Sequence, residues 1–251
     1  MLFDFDDAIY LPHSSQANRW ISWIKYPEKV EAIVKYSTHV IVGNSTLQEY
    51  VQRYHRRVSI IPTSIDIERY RVRPKLSSQT EPLTIGWVGS GTTVQYLDLL
   101  NNVFRQLARH HNFRLVIVGG AYQLPGVEVV ARPWTLKNEI SDLHSFDIGV
   151  MPLPDNQWTQ GKGGFKAIQY MGVGVPAVAS PVGMNTEIIK HNENGFLPNS
   201  EQGWIDCLAA LLEDAALRRR LGLAGRTTVQ TAYSVQANAP KLLKLLLSQQ
   251  R

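Results

Sequence analysis

The sequence predicts an α/β protein with one complete doubly wound parallel-sheet domain, preceded by part of a second such domain. Three observations predict it. Short apolar runs of strand character alternate with stretches of helical periodicity, the pattern of right-handed crossover units and a mostly parallel sheet. The 251 residues are many for one doubly wound domain and few for two. The runs also divide unequally around residues 63–82, TSIDIERYRVRPKLSSQTEP, whose prolines, serines and charges read as a linker.

The first runs are LFDF at 2–5, HVIVG at 39–43 and VSIIP at 58–62. Three strands bury little and leave a sheet edge uncovered, so residues 1–65 read as a partial N-terminal domain of a truncated chain, and 66–82 as the linker. Five runs follow: LTIGWVG at 83–89, FRLVIVGG at 113–120, VEVVA at 127–131, DIGVMPL at 147–153 and PAVAS at 176–180. Leu97, Leu100, Phe104 and Leu107 keep the helical period. So do Trp204, Ile205, Cys207, Leu208, Leu211 and Leu212, and the stretch 215–222 looks similar. Residues 83–235 therefore make the complete domain. The remainder, 236–251, reads as a C-terminal helix whose PKLLKLLL carries leucines on most sides, to be packed on another domain or laid on a membrane surface.

Composition narrows the class. Hydrophobic content of 44% and charged content of 19% are those of an ordinary globular protein, without low-complexity tracts or solenoid repeats. One cysteine excludes a disulfide framework and points to a reducing compartment. The start, MLFDFDDAIY, is acidic where a secretory signal is basic, and no apolar run approaches the roughly 18 residues of a membrane span. The expected location is the cytoplasm, with peripheral contact at the inner membrane face compatible with a net charge of +5. That charge favours anionic partners in general, and a solvated surface accounts for it as well.

In open parallel sheets, ligands collect where strands lead into helices at their carboxyl ends. Three such loops stand out. After the strand ending at Gly89, the small residues Ser90, Gly91, Thr92 and Thr93 lead toward a helix; free amides and a helix dipole there suit an anion, although a tight turn uses the same residues. The loop is neither a Walker A nor a dinucleotide fingerprint. After 127–131, Arg132, Pro133 and Trp134 set an aromatic plate at a strand end, either to stack a nucleobase or to cover the core edge. The third loop, PDNQWTQGKGG, runs into FKAIQYMG. A helix from about Gly163 puts Lys162, Lys166 and Gln169 on one face and Phe165, Ile168 and Met171 on the sheet-facing side. Two lysines over a helix N-terminus suit a pyrophosphate, and Gly163 and Gly164 are costly at a helix start unless something must approach closely.

Other chemistry finds less support. Asp4, Asp6 and Asp7 resemble an Asp-x-Asp metal motif, but no second ligand cluster stands near them in sequence, so no metal site is expected. His13, His39, His55, His110, His111, His144 and His191 show no ligand spacing, and a Ser/His/Asp triad lacks its nucleophile elbow.

GFKAIQYMGVGVPAVASPVGMNTEII resembles the nucleotide-sugar-binding signature of the retaining glycosyltransferases of family 4, with Met171, Gly174, Pro176, Val178, Ala179, Gly183 and Glu187 in register. HVIVGNSTLQEYVQRY and VSIIPTSIDIERY look like the end of that family's first domain, and WIDCLAALLEDAALRRRLGLAGRTTVQTAYS like its C-terminal helices. The resemblance implies a GT-B-like architecture, with a Rossmann-like N-terminal domain on the acceptor side and a donor site mainly in the second domain. The family's ribose-binding glutamate falls on Gln169 and its sugar-side glutamate on Gly161, while the family's diphosphate-binding Arg and Lys have no counterpart near Ser90, Gln95 and Tyr96. Lys162 and Lys166 are expected to supply that charge as the catalytic residues. The expected donor-binding set is Gly89, Ser90, Gly91, Thr92, Trp134, Gly163, Gly164, Gln169 and Glu187.

The function implied is metal-independent transfer of a sugar, with retention, from a UDP- or GDP-type donor to a glycan or lipid-linked acceptor, without a cofactor or nucleic acid. The alternatives are a non-catalytic nucleotide-sugar-binding module and, with less support, a sugar-nucleotide epimerase.

Overall fold

A computed structural model describes residues 1–12, 28–72 and 82–248. Among these residues, eight strands form two parallel sheets, each strand where its apolar run predicts it. The small sheet has the order β1-β2-β3, from Leu2–Phe5, His39–Val42 and Val58–Ile60. Helices α1 (Glu28–Tyr36) and α2 (Ser45–Gln52) make its crossovers. The large sheet has the order β6-β5-β4-β7-β8, from Glu128–Arg132, Phe113–Val118, Leu83–Val88, Ile148–Met151 and Ala177–Ala179. All its pairings are parallel, and the strand order reverses at β4.

The large sheet is apolar on both faces because helices cover both. On one side, Ile85, Trp87, Leu115 and Ile117 meet Leu97, Leu100, Phe104, Leu107, Trp204 and Leu208. The expected first helix is a 3-10 segment, Val94–Leu100, continued by α3 (Asn101–Leu107). The cysteine-bearing helix is α8, Glu201–Glu213, preceded by two short helices, α5 (Gln157–Gln160) and α7 (Asn185–Ile188). Burial pushes the Cys207 thiol up to about 11, so it behaves as a small core hydrophobe.

The other face is filled by α6 (Phe165–Gly172), α4 (Glu139–His144) and α9 (Ala215–Ala232). Two strand glycines shape it. Gly86 of β4 and Gly149 of β7 are register partners; a Cβ on the first would lie 2.0 Å from the Phe146 ring, and on the second 2.4 Å from the Tyr170 ring. The two rings thus rest against bare backbone. The Tyr170 hydroxyl accepts from Val88 N–H (3.1 Å) and donates to Val150 C=O (3.3 Å), tying α6 across β4 and β7.

Residues 73–81 of the expected linker lie outside the described residues. The described part is packed rather than free: Ile65 and Tyr70 are buried, and Arg226 donates to the carbonyls of Ile67, Tyr70 and Gly172. After α9 the chain returns to the small sheet. Val235 N–H donates to Ile65 C=O (2.9 Å), and Asn238 of α10 (Val235–Ser248) donates to Ser64 (2.8 Å). The leucines of α10 stay partly exposed, Leu243 and Leu247 most of all. Among the described residues, no helix is long and apolar enough to cross a membrane.

Candidate functional site

The carboxyl ends of β4 and β7 meet where the strand order reverses, the position at which doubly wound sheets bind ligands. Two adjoining cavities open there. The outer one, about 650 Å3, is lined by Gly89, Ser90, Gly91, Gly119, Gly120, Arg132, Pro133 and Trp134, among others. Trp134 is 46% exposed there and presents ring surface to the cavity. Thr92, exposed and outside that lining, hydrogen-bonds Ser90 side chain to side chain (2.8 Å). Arg132 donates to Asp142 and Ser145, both at 3.1 Å, which fixes the guanidinium at the rim.

The inner cavity, about 400 Å3, lies between the sheets, lined by Asp6, Asp7 and Thr63 from the small-sheet side and by Met151, Lys162, Gly163, Gly164, Phe165 and Lys166 from the large. Gly89 of the outer lining packs close to Lys166 of the inner one, since a Cβ there would lie 2.3 Å from the Trp87 ring and 3.0 Å from Lys166 Cε. Both ammonium groups stand over indoles: Lys166 Nζ is 5.5 Å from the Trp87 ring centre and Lys162 Nζ 5.2 Å from that of Trp158. Burial brings the Lys166 ammonium down to about 8; Lys162 adds to the fall and Asp7 opposes it.

The expected face of α6 needs correction. The helix starts at Phe165, so Lys162 precedes it and reaches the cavity from the loop, its amide bonded to Thr159 C=O at 3.2 Å. Phe165, expected against the sheet, is 41% exposed, whereas Lys166 and Tyr170 point to β4. Residues 167–172 are all buried, because the sheet, α9 and the returning chain surround the helix, and a helix buried all round has no single apolar stripe to read. Gln169 is one of these buried residues. Its amide donates to Tyr70 Oη (3.2 Å) and to Glu139 Oε1 (3.1 Å), while Glu139 Oε2 accepts from Arg69 (2.7 Å). It is not part of either cavity's lining. Glu187 is likewise elsewhere, accepting from Ser45 Oγ of α2 at 2.6 Å.

The glycines of the lysine loop do serve close approach, but to the small-sheet side. A Cβ on Gly161 would lie 2.7 Å from Ala8 Cβ, and one on Gly163 2.7 Å from Thr63 Oγ1. Gly164 takes a left-handed φ of 68° as the N-cap of α6. Asn44, which the sequence reading missed, fastens this contact: it caps α2 through Leu47 N–H (2.9 Å) and donates to Gly161 C=O (3.0 Å). An Asn before STLQ signals a cap, but nothing local signals the second bond. Asp6 and Asp7, weighed in the sequence only as a metal motif, and Thr63 were not read as facing the lysine loop for the same reason, since that loop lies far along the chain. Among the described residues, no three His, Cys, Asp or Glu side chains group to hold a metal ion.

A family model described as Glycosyl transferases group 1 matches residues 82–214. No curated protein matches the sequence. Among solved structures, the fold is similar to sucrose-phosphate synthase from Thermosynechococcus elongatus (19% identity, TM-score 0.75, covering 99% of this chain and 67% of that one). It is similar also to HepE of Anabaena in complex with UDP-glucose (18%, 0.72, 98% and 72%). A third is an S. aureus TarM mutant in complex with fondaparinux, alpha-GlcNAc-glycerol and UDP (16%, 0.66, 87% and 46%). The chain thus spans about half to seven tenths of these proteins. Two parallel sheets facing across a cleft make its architecture GT-B-like, as the sequence implies.

Proposed function

The chain belongs to the glycosyl transferases group 1 family, and from that premise we propose that it moves a sugar from a nucleotide-diphosphate donor to an acceptor hydroxyl, with retention and without a metal ion. The observation that carries this reading is the pair of lysines at the strand-order reversal, one of them desolvated, beside a cavity with an exposed tryptophan. The nucleobase lies against Trp134. The diphosphate passes the bare backbone of Gly89 and Gly91 and meets Lys166 and Lys162, leaving the sugar in the inner cavity.

The lysines act on the leaving group. As the sugar–phosphate bond breaks, negative charge grows on the departing diphosphate. Fixed cations in a site poor in water stabilise it far more than water would, an effect worth about 3 kcal/mol per good donor. This is the charge that a metal ion would otherwise supply. Two cleft walls from different sheets hold donor and acceptor in reacting geometry. A UDP-type donor is favoured by the complexes of HepE and TarM, whose ligands include UDP-glucose and UDP; retention rests on the family 4 resemblance. The acceptor is a glycan or a lipid-linked sugar.

One observation favours a second reading, binding without turnover: Gly161, where the family's sugar-side glutamate falls, carries no carboxylate and is packed against Ala8. Calorimetry with UDP- and GDP-sugars, run beside an assay for released nucleotide, separates the two. Transfer requires nucleotide release that accelerates with an acceptor present. Binding with no release over hours supports the module, and absence of binding removes both.

A further inference from the structure

The two lysines of the inner cavity are seated on different cores. Lys166 lies over Trp87, which belongs to the core of the large sheet. Lys162 lies over Trp158 of α5, and that indole packs on the core of the small sheet, among residues that include Phe5, Ala8, Leu47 and Val51. Three further contacts dock the same stretch on the small-sheet side. Gly161 rests on Ala8, and the Asn44 amide donates to the carbonyls of Gly161 (3.0 Å) and Lys162 (3.4 Å). The single turn that carries Trp158 is closed on itself by a reciprocal cap: Thr159 N–H donates to Asn156 Oδ1 (3.0 Å), and Asn156 N–H to Thr159 Oγ1 (3.2 Å). The indole therefore has a fixed place.

A lysine on a loop ends in a flexible four-carbon stem, and immobilising it on binding costs entropy. The face of an indole is the best aromatic partner for an ammonium, and holding the charge there removes part of that cost beforehand. The ammonium has three N–H donors and the ring lies on one side of it, so the charge stays available to an anion in the cavity it lines. We propose that Trp158 is a positioning residue for Lys162: it holds the ammonium ready for the diphosphate. Because the indole is seated in the small-sheet core, that sheet sets where this charge stands, while the large sheet sets the place of Lys166. The assignment rests on the donor reading above.

The test is a double-mutant cycle on the full chain, with UDP and GDP as probes in calorimetry at pH 7.5, comparing wild type, Trp158→Leu, Lys162→Ala and the two together. Trp158→Leu is expected to weaken binding of the preferred diphosphate about fivefold, the cost of ordering one long side chain on binding. In the Lys162→Ala background the same substitution should cost nothing further. Trp158→Phe keeps an aromatic face and more of the packing. It should lose about twofold, again only while Lys162 is present, and it decides the point should the leucine variant not fold. Equal losses with and without Lys162 would make the tryptophan mere core filling and overturn the assignment, as would unchanged affinity in a folded Trp158→Leu. Unchanged affinity in Lys162→Ala overturns the placing of Lys162 on the diphosphate, and the assignment with it. A wild type that binds neither nucleotide overturns the donor reading itself.

Discussion

Lys166 projects from the first turn of α6 over the ring of Trp87, which is 1% exposed, and its ammonium titrates at about 8 for want of water around it. A lysine so placed is charged at neutral pH and loses its charge in mildly alkaline solution. The folded protein without ligand therefore gives up a proton that the unfolded chain still holds, and this residue's contribution to stability rises from pH 8 toward the ordinary lysine range. A diphosphate reverses that preference, since binding restores the charge. Donor affinity should be level below pH 8 and fall about tenfold per unit above it, with uptake of one proton. Calorimetry at pH 9 in buffers of different ionisation enthalpy reads that proton directly, and Lys166→Arg should flatten the profile. Lys162 and Lys166 were legible in the sequence because glycines and lysines at a helix start serve few other purposes. Gly161 was not, since its reason is Ala8, 153 positions earlier.

The elements were the most legible level. All eight strands sit within two residues of their apolar runs, because strands covered on both faces read as unbroken hydrophobic stretches. Helix α6 was legible in place and not in phase, since six of its eight residues are buried. Its seat on the sheet depends on the paired glycines Gly86 and Gly149, which the sequence shows only as isolated glycines within strands. A methyl at position 86 would fall inside the Phe146 ring, 2.0 Å from Cγ, and that ring packs edge-on against Tyr170 at 6.1 Å. Gly86→Ala should destabilise the protein by about 3 kcal/mol, the upper range for overpacking. Chemical denaturation checks it; a change below about 0.5 kcal/mol would show that the rings are not seated on the strands as described.

At the scale of the molecule, the site exists only because the two sheets face each other. The contacts that set their approach join residues far apart in the chain: Asn44 to Gly161, Ser45 to Glu187, Asn238 to Ser64. Such contacts leave no periodicity, so the sequence showed the two sheets and the lysine loop but not that Asp6 and Asp7 stand opposite it. The returning chain and α10 close the arrangement, which makes the cleft a property of the whole fold and its charge pattern the basis of the account. The most direct test is donor binding by the double variant Lys162→Ala/Lys166→Met, measured by calorimetry with UDP, GDP and their sugars at pH 7.5. Loss of two cations, one of them desolvated, should weaken nucleotide binding at least about a hundredfold, while the melting temperature holds or rises because a buried charge has been removed. Unchanged nucleotide affinity in a folded double variant would contradict the claim that these lysines hold the diphosphate.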